Sequence, residues 1–126
     1  MELLEKELTK KIIGAFYKVY QKLGHGFTES VYEKSMLIQL AEIGLRAESQ
    51  VGIKVKFKGQ IVGDFKADIL VEEKVLLELK AVEYIHDRHI AQLLNYLKAS
   101  QVEVGLLFNF GPEPSFERKV FLNSRK

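Results

Sequence analysis

The apolar residues of this chain alternate between helical and strand spacing. From Leu3 to Leu23 they fall at helical intervals, at Leu8, Ile12, Ala15, Phe16, Val19 and Leu23, and Gly24 and Gly26 close the pattern. Thr28 is placed to cap a second helix that runs to about Ile43, with Gly44 as its stop. The period then drops to two. Val51, Ile53, Val55 and Phe57 alternate with Gly52, Lys54, Lys56 and Lys58, which predicts a half-exposed strand. Lys58-Gly59-Gln60 reads as a turn, Ile61 to Val71 as a second strand and Val75 to Ala81 as a third. Helical spacing returns between Asp87 and Ser100, at Ile90, Leu93, Leu94 and Leu97. Val102 to Phe110 is a compact apolar run, expected to be a strand buried on both faces, and Gly111-Pro112-Glu113-Pro114 breaks it. Phe116 to Leu122 is assigned to a last strand and Asn123–Lys126 to a loose tail.

The order α-α-β-β-β-α-β-β predicts an α/β (α+β) fold: a central mixed β-sheet flanked by helices, with a three-stranded meander followed by a helical crossover. At 126 residues the chain is read as one domain over 1–126, large enough for a single core. Hydrophobic content of 47% and charged content of 29% suit a globular protein. With no cysteine, neither disulfides nor a cysteine–zinc site can hold the fold. No apolar run reaches the ~20 residues of a membrane span, and Met1-Glu2-Leu3-Leu4-Glu5-Lys6 lacks the start of a secretory signal, so a cytoplasmic location and no membrane partner are expected. A net charge of +2 is too mild to announce a nucleic-acid binder by composition, so any such footprint must be local.

Charge changes the picture at one place, Asp68-Ile69-Leu70-Val71-Glu72-Glu73-Lys74-Val75-Leu76-Leu77-Glu78-Leu79-Lys80. A three-residue turn at Glu72-Glu73-Lys74 sets Val71 opposite Val75, Ile69 opposite Leu77 and Asp68 opposite Glu78. Lys80 shares the face of Glu78, because strand side chains alternate. The other face, with Phe65, Ala67, Ile69, Val71, Val75, Leu77 and Leu79, is uniformly apolar, which fixes the register. Opposed carboxylates ~5 Å apart repel, and a hard divalent cation removes the conflict. From spacing alone, a metal site and an Asp/Glu/Lys ion-pair cluster on a solvated face are equally good readings. Leu70 and Leu76 on the polar face imply that something covers it.

Four motifs in order then resemble a known family. They are Gly26-Phe27-Thr28-Glu29-Ser30-Val31-Tyr32, Asp68 followed by Glu78-Leu79-Lys80-Ala81-Val82-Glu83, Gln92-Leu93-Leu94-Asn95-Tyr96-Leu97, and Gly105-Leu106-Leu107-Phe108-Asn109-Phe110-Gly111. From about Ile12 to Val120 the chain resembles the GxxExxY proteins, a branch of the PD-(D/E)XK nuclease superfamily. The resemblance implies a restriction-endonuclease-like core and a Mg²⁺-dependent nuclease, with Mn²⁺ as substitute, acting on phosphodiester bonds of nucleic acid, in DNA first. It implies metal ligands Asp68 and Glu78, the backbone carbonyl of Leu79, and Glu29 directly or through water. Lys80 becomes the catalytic lysine, with Gln92 and Tyr96 near substrate. The family's first helix ends in Val-His before its Leu-Gly, where this chain has Val19-Tyr20, then Gln21-Lys22 before Leu23-Gly24.

Other residues have plainer readings beside the functional ones. Tyr32 suits a core aromatic and a substrate-side residue equally. Lys54, Lys56 and Lys58 could follow a phosphate backbone, although lysines on an edge strand more often guard against aggregation. His86-Asp87-Arg88-His89 reads as a solvated helix start, and Asn109 and Gly111 as turn residues. The rival function is a non-catalytic nucleic-acid- or protein-binding module on the same fold. A domain of this size has little surface to enclose a duplex, so a homodimer or partner protein is expected.

Overall fold

The computed structural model describes residues 3–126. Helix α1 spans Lys6–Leu23 and α2 spans Glu29–Glu42. Strands β1 (Ala47–Phe57), β2 (Gln60–Val71) and β3 (Val75–Lys80) form the meander. Helix α3 (Asp87–Lys98) then leads to β4 (Val104–Asn109) and β5 (Ser115–Val120). The five strands lie in chain order across one sheet. Only β3 and β4 run parallel, which is why a helix must connect them. This is the α+β arrangement with a mixed sheet that the pattern predicts.

Two apolar clusters fill the two faces of the sheet. On one face α1 (Ile12, Phe16, Val19) and α2 (Tyr32, Met36, Leu40) cover Ile69, Val71, Leu77, Leu79, Leu106 and Phe108. Aromatic rings stack there, Phe16 on Phe108 at 4.4 Å and Tyr32 on Phe110 at 4.3 Å. On the other face α3 sets Leu93, Tyr96 and Leu97 against Ala67, Leu76 and Leu107. Gly105 of β4 allows that close approach, since a Cβ there would stand 2.7 Å from Leu93 Cδ1. Leu70 also packs in this cluster, so α3 is what covers the polar face of the β2–β3 hairpin.

Several boundaries differ from the sequence reading. Helix α1 starts at Lys6 rather than Leu3, because Glu5 turns left-handed at φ 52°. Strand β1 starts at Ala47, not Val51, since its first residues pair with Val71, Leu70 and Ile69. The tail is not loose: Asn123–Arg125 forms a short 3₁₀ turn, and Lys126 Nζ donates to the carbonyls of Ser100 (2.9 Å) and Val102 (2.7 Å).

The expected uniform apolar face is also divided. Ile69 and Val71 pack with α1 and α2, whereas Ala67 packs under α3 and Phe65 lies 5.9 Å from the Tyr96 ring. The change falls at Asp68. The β1–β2 ladder passes from Ser49–Ile69 to Val51–Ala67, and Gln50 between them has a left-handed φ of 54°. Such a residue re-aims the side chains of its own strand, where Ala47 and Ile53, of one parity, pack in different clusters, and period-two counting cannot register it.

Candidate metal centre and active site

The β2–β3 turn sets the register of the site. Glu72 and Glu73 adopt left-handed φ of 52° and 57°, and Lys74 N donates to Val71 O at 2.9 Å. Val71–Val75 and Ile69–Leu77 are ladder partners, as the pattern predicts. The ladder stops there, so Asp68 and Glu78 are not a paired position. Instead Asp68 Oδ2 accepts the Leu79 backbone N–H at 2.7 Å, which orients the carboxylate. A strand residue points its N–H and C=O to the same neighbour. The Leu79 carbonyl therefore faces the Asp68 side, beyond the last β2–β3 ladder pair.

Glu78 is 3% exposed, and its Oε1 is buried with no hydrogen-bond partner. Burial first, and the nearby Asp68 charge second, push its carboxyl up to about 8, while the Lys80 ammonium pulls the other way. An orphaned buried oxygen costs about 1–3 kcal/mol, a debt that a cation beside it would remove. Tyr96 is 7% exposed and its phenol accepts Gln92 Nε2 at 3.1 Å. Burial raises its pKa, and the charges of Glu78 and Asp68 add to that, so the phenol stays protonated beside the carboxylates.

The remaining expected residues take different places. Glu29 is exposed in the first turn of α2, and its Oε2 accepts Ala81 N at 3.4 Å, one residue past Lys80. Among the described residues no group of three or more His, Cys, Asp or Glu side chains is placed to hold a metal ion. Tyr32 is fully buried. Its hydroxyl donates to Gly24 O at 2.6 Å and accepts Phe27 N at 3.3 Å, so it pins the Gly24–Phe27 loop and offers a substrate no surface. Lys54 and Lys56 line a groove beside α3, but Lys58 lies at the hairpin tip over the Phe57 ring, 5.5 Å from its centroid.

Two residues near the site were missed or set aside in sequence. Glu33, one helical turn after Glu29, accepts Gln50 Nε2 at 2.8 Å. Burial raises its pKa, and the Asp68 charge adds to the rise. Only the i, i+4 spacing from Glu29 could have flagged it. His89 is not solvated: it is 8% exposed, its Nδ1 accepts His86 N at 3.1 Å, and burial, then the Lys80 charge, lower its pKa. Tyr20, where the family has histidine, ties α1 to the end of β4 by donating to Gly111 O at 2.7 Å.

The donor set fits a small hard cation. Mg²⁺ is held by one or two carboxylates and leaves its other positions to water and phosphate oxygens. Asp68, Glu78 and the Leu79 carbonyl supply that much and no more.

The comparisons agree with this architecture. A solved structure described as "Crystal structure of SSO0001" superposes with a TM-score of 0.58 at 20% identity, covering 94% of this chain and 60% of that one. The likeness is one of fold, and this chain spans 60% of the length of that protein. No curated protein matches the sequence. A family model described as the PD-(D/E)XK nuclease superfamily matches residues 6–120, nearly the whole described chain, and with that match the chain belongs to the PD-(D/E)XK nuclease superfamily.

Proposed function

We propose that this protein is a Mg²⁺-dependent nuclease of the GxxExxY branch that hydrolyses phosphodiester bonds in DNA, with Mn²⁺ as an alternative cation. The observation that carries the reading is the buried, unpartnered Oε1 of Glu78 beside Asp68 and Lys80. The branch assignment is supported by Gly26, Glu29 and Tyr32 standing together at the loop that leads to α2.

Asp68, Glu78 and the Leu79 carbonyl would hold the cation. When bound, it supplies an acidified water and offsets phosphate charge. Lys80 sets an ammonium where negative charge develops on the scissile phosphate. Tyr96, kept protonated, and Gln92 present donors that orient a phosphate oxygen. His89, neutral and with Nδ1 occupied by His86 N, holds its remaining ring proton on Nε2 near Lys80. Glu29, hydrogen-bonded just past Lys80, acts on the site as a positioning residue.

The test is incubation of the purified protein with single-stranded and duplex DNA in Mg²⁺ or Mn²⁺. Cleavage by the wild type and a fall of about 10²–10³-fold in Lys80→Ala are expected. Equal behaviour of the two proteins overturns the hydrolytic reading. Calorimetric Mn²⁺ titration gives an independent readout: binding should vanish in Asp68→Ala. The rival binding module predicts nucleic-acid binding that needs no metal and survives that substitution.

A further inference from the structure

A groove of about 1060 Å³ runs between the β1–β2 ribbon and α3 and reaches the site at Gln92 and Tyr96. Its charged side chains are all of one sign. Lys54 and Lys56 stand on the ribbon side, Arg88 and Lys98 on the helix side, and no Asp or Glu is among its lining residues. Lys126 also lines it, but its ammonium is spent on the Ser100 and Val102 carbonyls. Among these cations lies an aromatic that folding leaves open. Phe65 is 47% exposed, and its ring is tilted 37° to Tyr96 at 5.9 Å.

We propose that this groove holds a single strand of nucleic acid, with Phe65 as a stacking platform for an unpaired base, and feeds that strand to the carboxylate site. The proposal rests on the nuclease reading and deepens it to a substrate class. The cations fit a nucleic-acid backbone, and the open aromatic selects a single strand over a duplex. The cations on both walls match a polyanion entering between them. An open aromatic serves a base only when its face is free, which a base inside a duplex does not offer. Gln92 lines the groove and also bonds the Tyr96 phenol, so the strand's path and the site share one residue.

The experiment separates binding from cutting. Fluorescence anisotropy in EDTA measures affinity for labelled single-stranded DNA, single-stranded RNA and duplex DNA, with inorganic polyphosphate as a competitor that has charge but no bases. Single strands should bind more tightly than duplex, and their affinity should fall with salt with a log–log slope of about −2 to −3 for the four free cations. Phe65→Ala and Phe65→Leu should each weaken single-strand binding about tenfold, with Phe65→Tyr restoring it. Phe65→Leu keeps the apolar volume, and a matched thermal melt excludes unfolding as the cause. Lys54→Ala/Lys56→Ala should make the slope shallower by about 1. The proposal is overturned if duplex binds as tightly as single strands, if polyphosphate displaces them as well as unlabelled strand does, or if the Phe65 variants bind like wild type. Cleavage that persists while these binding results fail removes this inference alone. Binding that holds while Lys80→Ala matches wild type in the cleavage assay removes the nuclease reading alone.

Discussion

Glu78 is a carboxylate in an apolar strand, and its environment favours the proton. Its folded-state pKa of about 8 lies above the ordinary 4.5. Between those values the folded protein keeps a proton that the unfolded chain gives up. Its contribution to stability is therefore fully present below about pH 4.5 and is lost as pH rises towards about 8. In EDTA, urea denaturation should show the wild type losing roughly 2–4 kcal/mol more than Glu78→Gln across that range. Parallel profiles would show that Glu78 is ionised throughout. Asp68, Glu78 and Lys80 were legible in sequence because they interrupt two strand patterns on one parity. Glu33 was not, because its closeness to Asp68 depends on how α2 docks on the sheet. Tyr32 was ambiguous for a similar reason: its role depends on a ring stack with Phe110, far away in the chain.

Between residue and molecule, the ends of β3 and β4 act as one joint. Asn109 is 2% exposed. Its Oδ1 accepts Val82 N and Gly111 N, both at 3.0 Å, and its Nδ2 donates to Val82 O at 3.0 Å. Gly111 completes the joint, since a Cβ there would stand 1.9 Å from Val82 O. Gly111→Ala must displace backbone, so chemical denaturation should show a loss of about 2–3 kcal/mol. Cleavage should fall as well, because Val82 lies two residues past Lys80; an unchanged midpoint would mean the loop yields freely. Sequence identified Asn109 and Gly111 as turn residues from composition alone. It could not see what the turn grips, and it missed the start of α1, set by the left-handed Glu5, and the ends of β1 and the tail, where partners distant in sequence set the boundary. Element types and order were legible throughout because each run kept its period long enough to be read.

At the scale of the whole molecule, cation binding at the proposed site and folding should share one equilibrium. A cation that binds only the folded chain stabilises it by about 2.7 kcal/mol at a hundredfold excess over its Kd. Differential scanning fluorimetry should show a rise in Tm with Mn²⁺ for the wild type and none for Asp68→Ala. A rise in both would place the ion elsewhere. The fold itself was legible from element order, since one helix between a meander and a late strand forces the parallel β3–β4 pair. The groove was not legible, because it joins residues of β1, β2 and α3 that only the folded chain brings together. The ribbon has one more consequence. From Val55 to Gly63 its two strands pair only with each other, and Phe57, Ile61 and Val62 at the tip stay exposed. Its tip can therefore lengthen, shorten or change composition over generations with little effect on the carboxylates or the core.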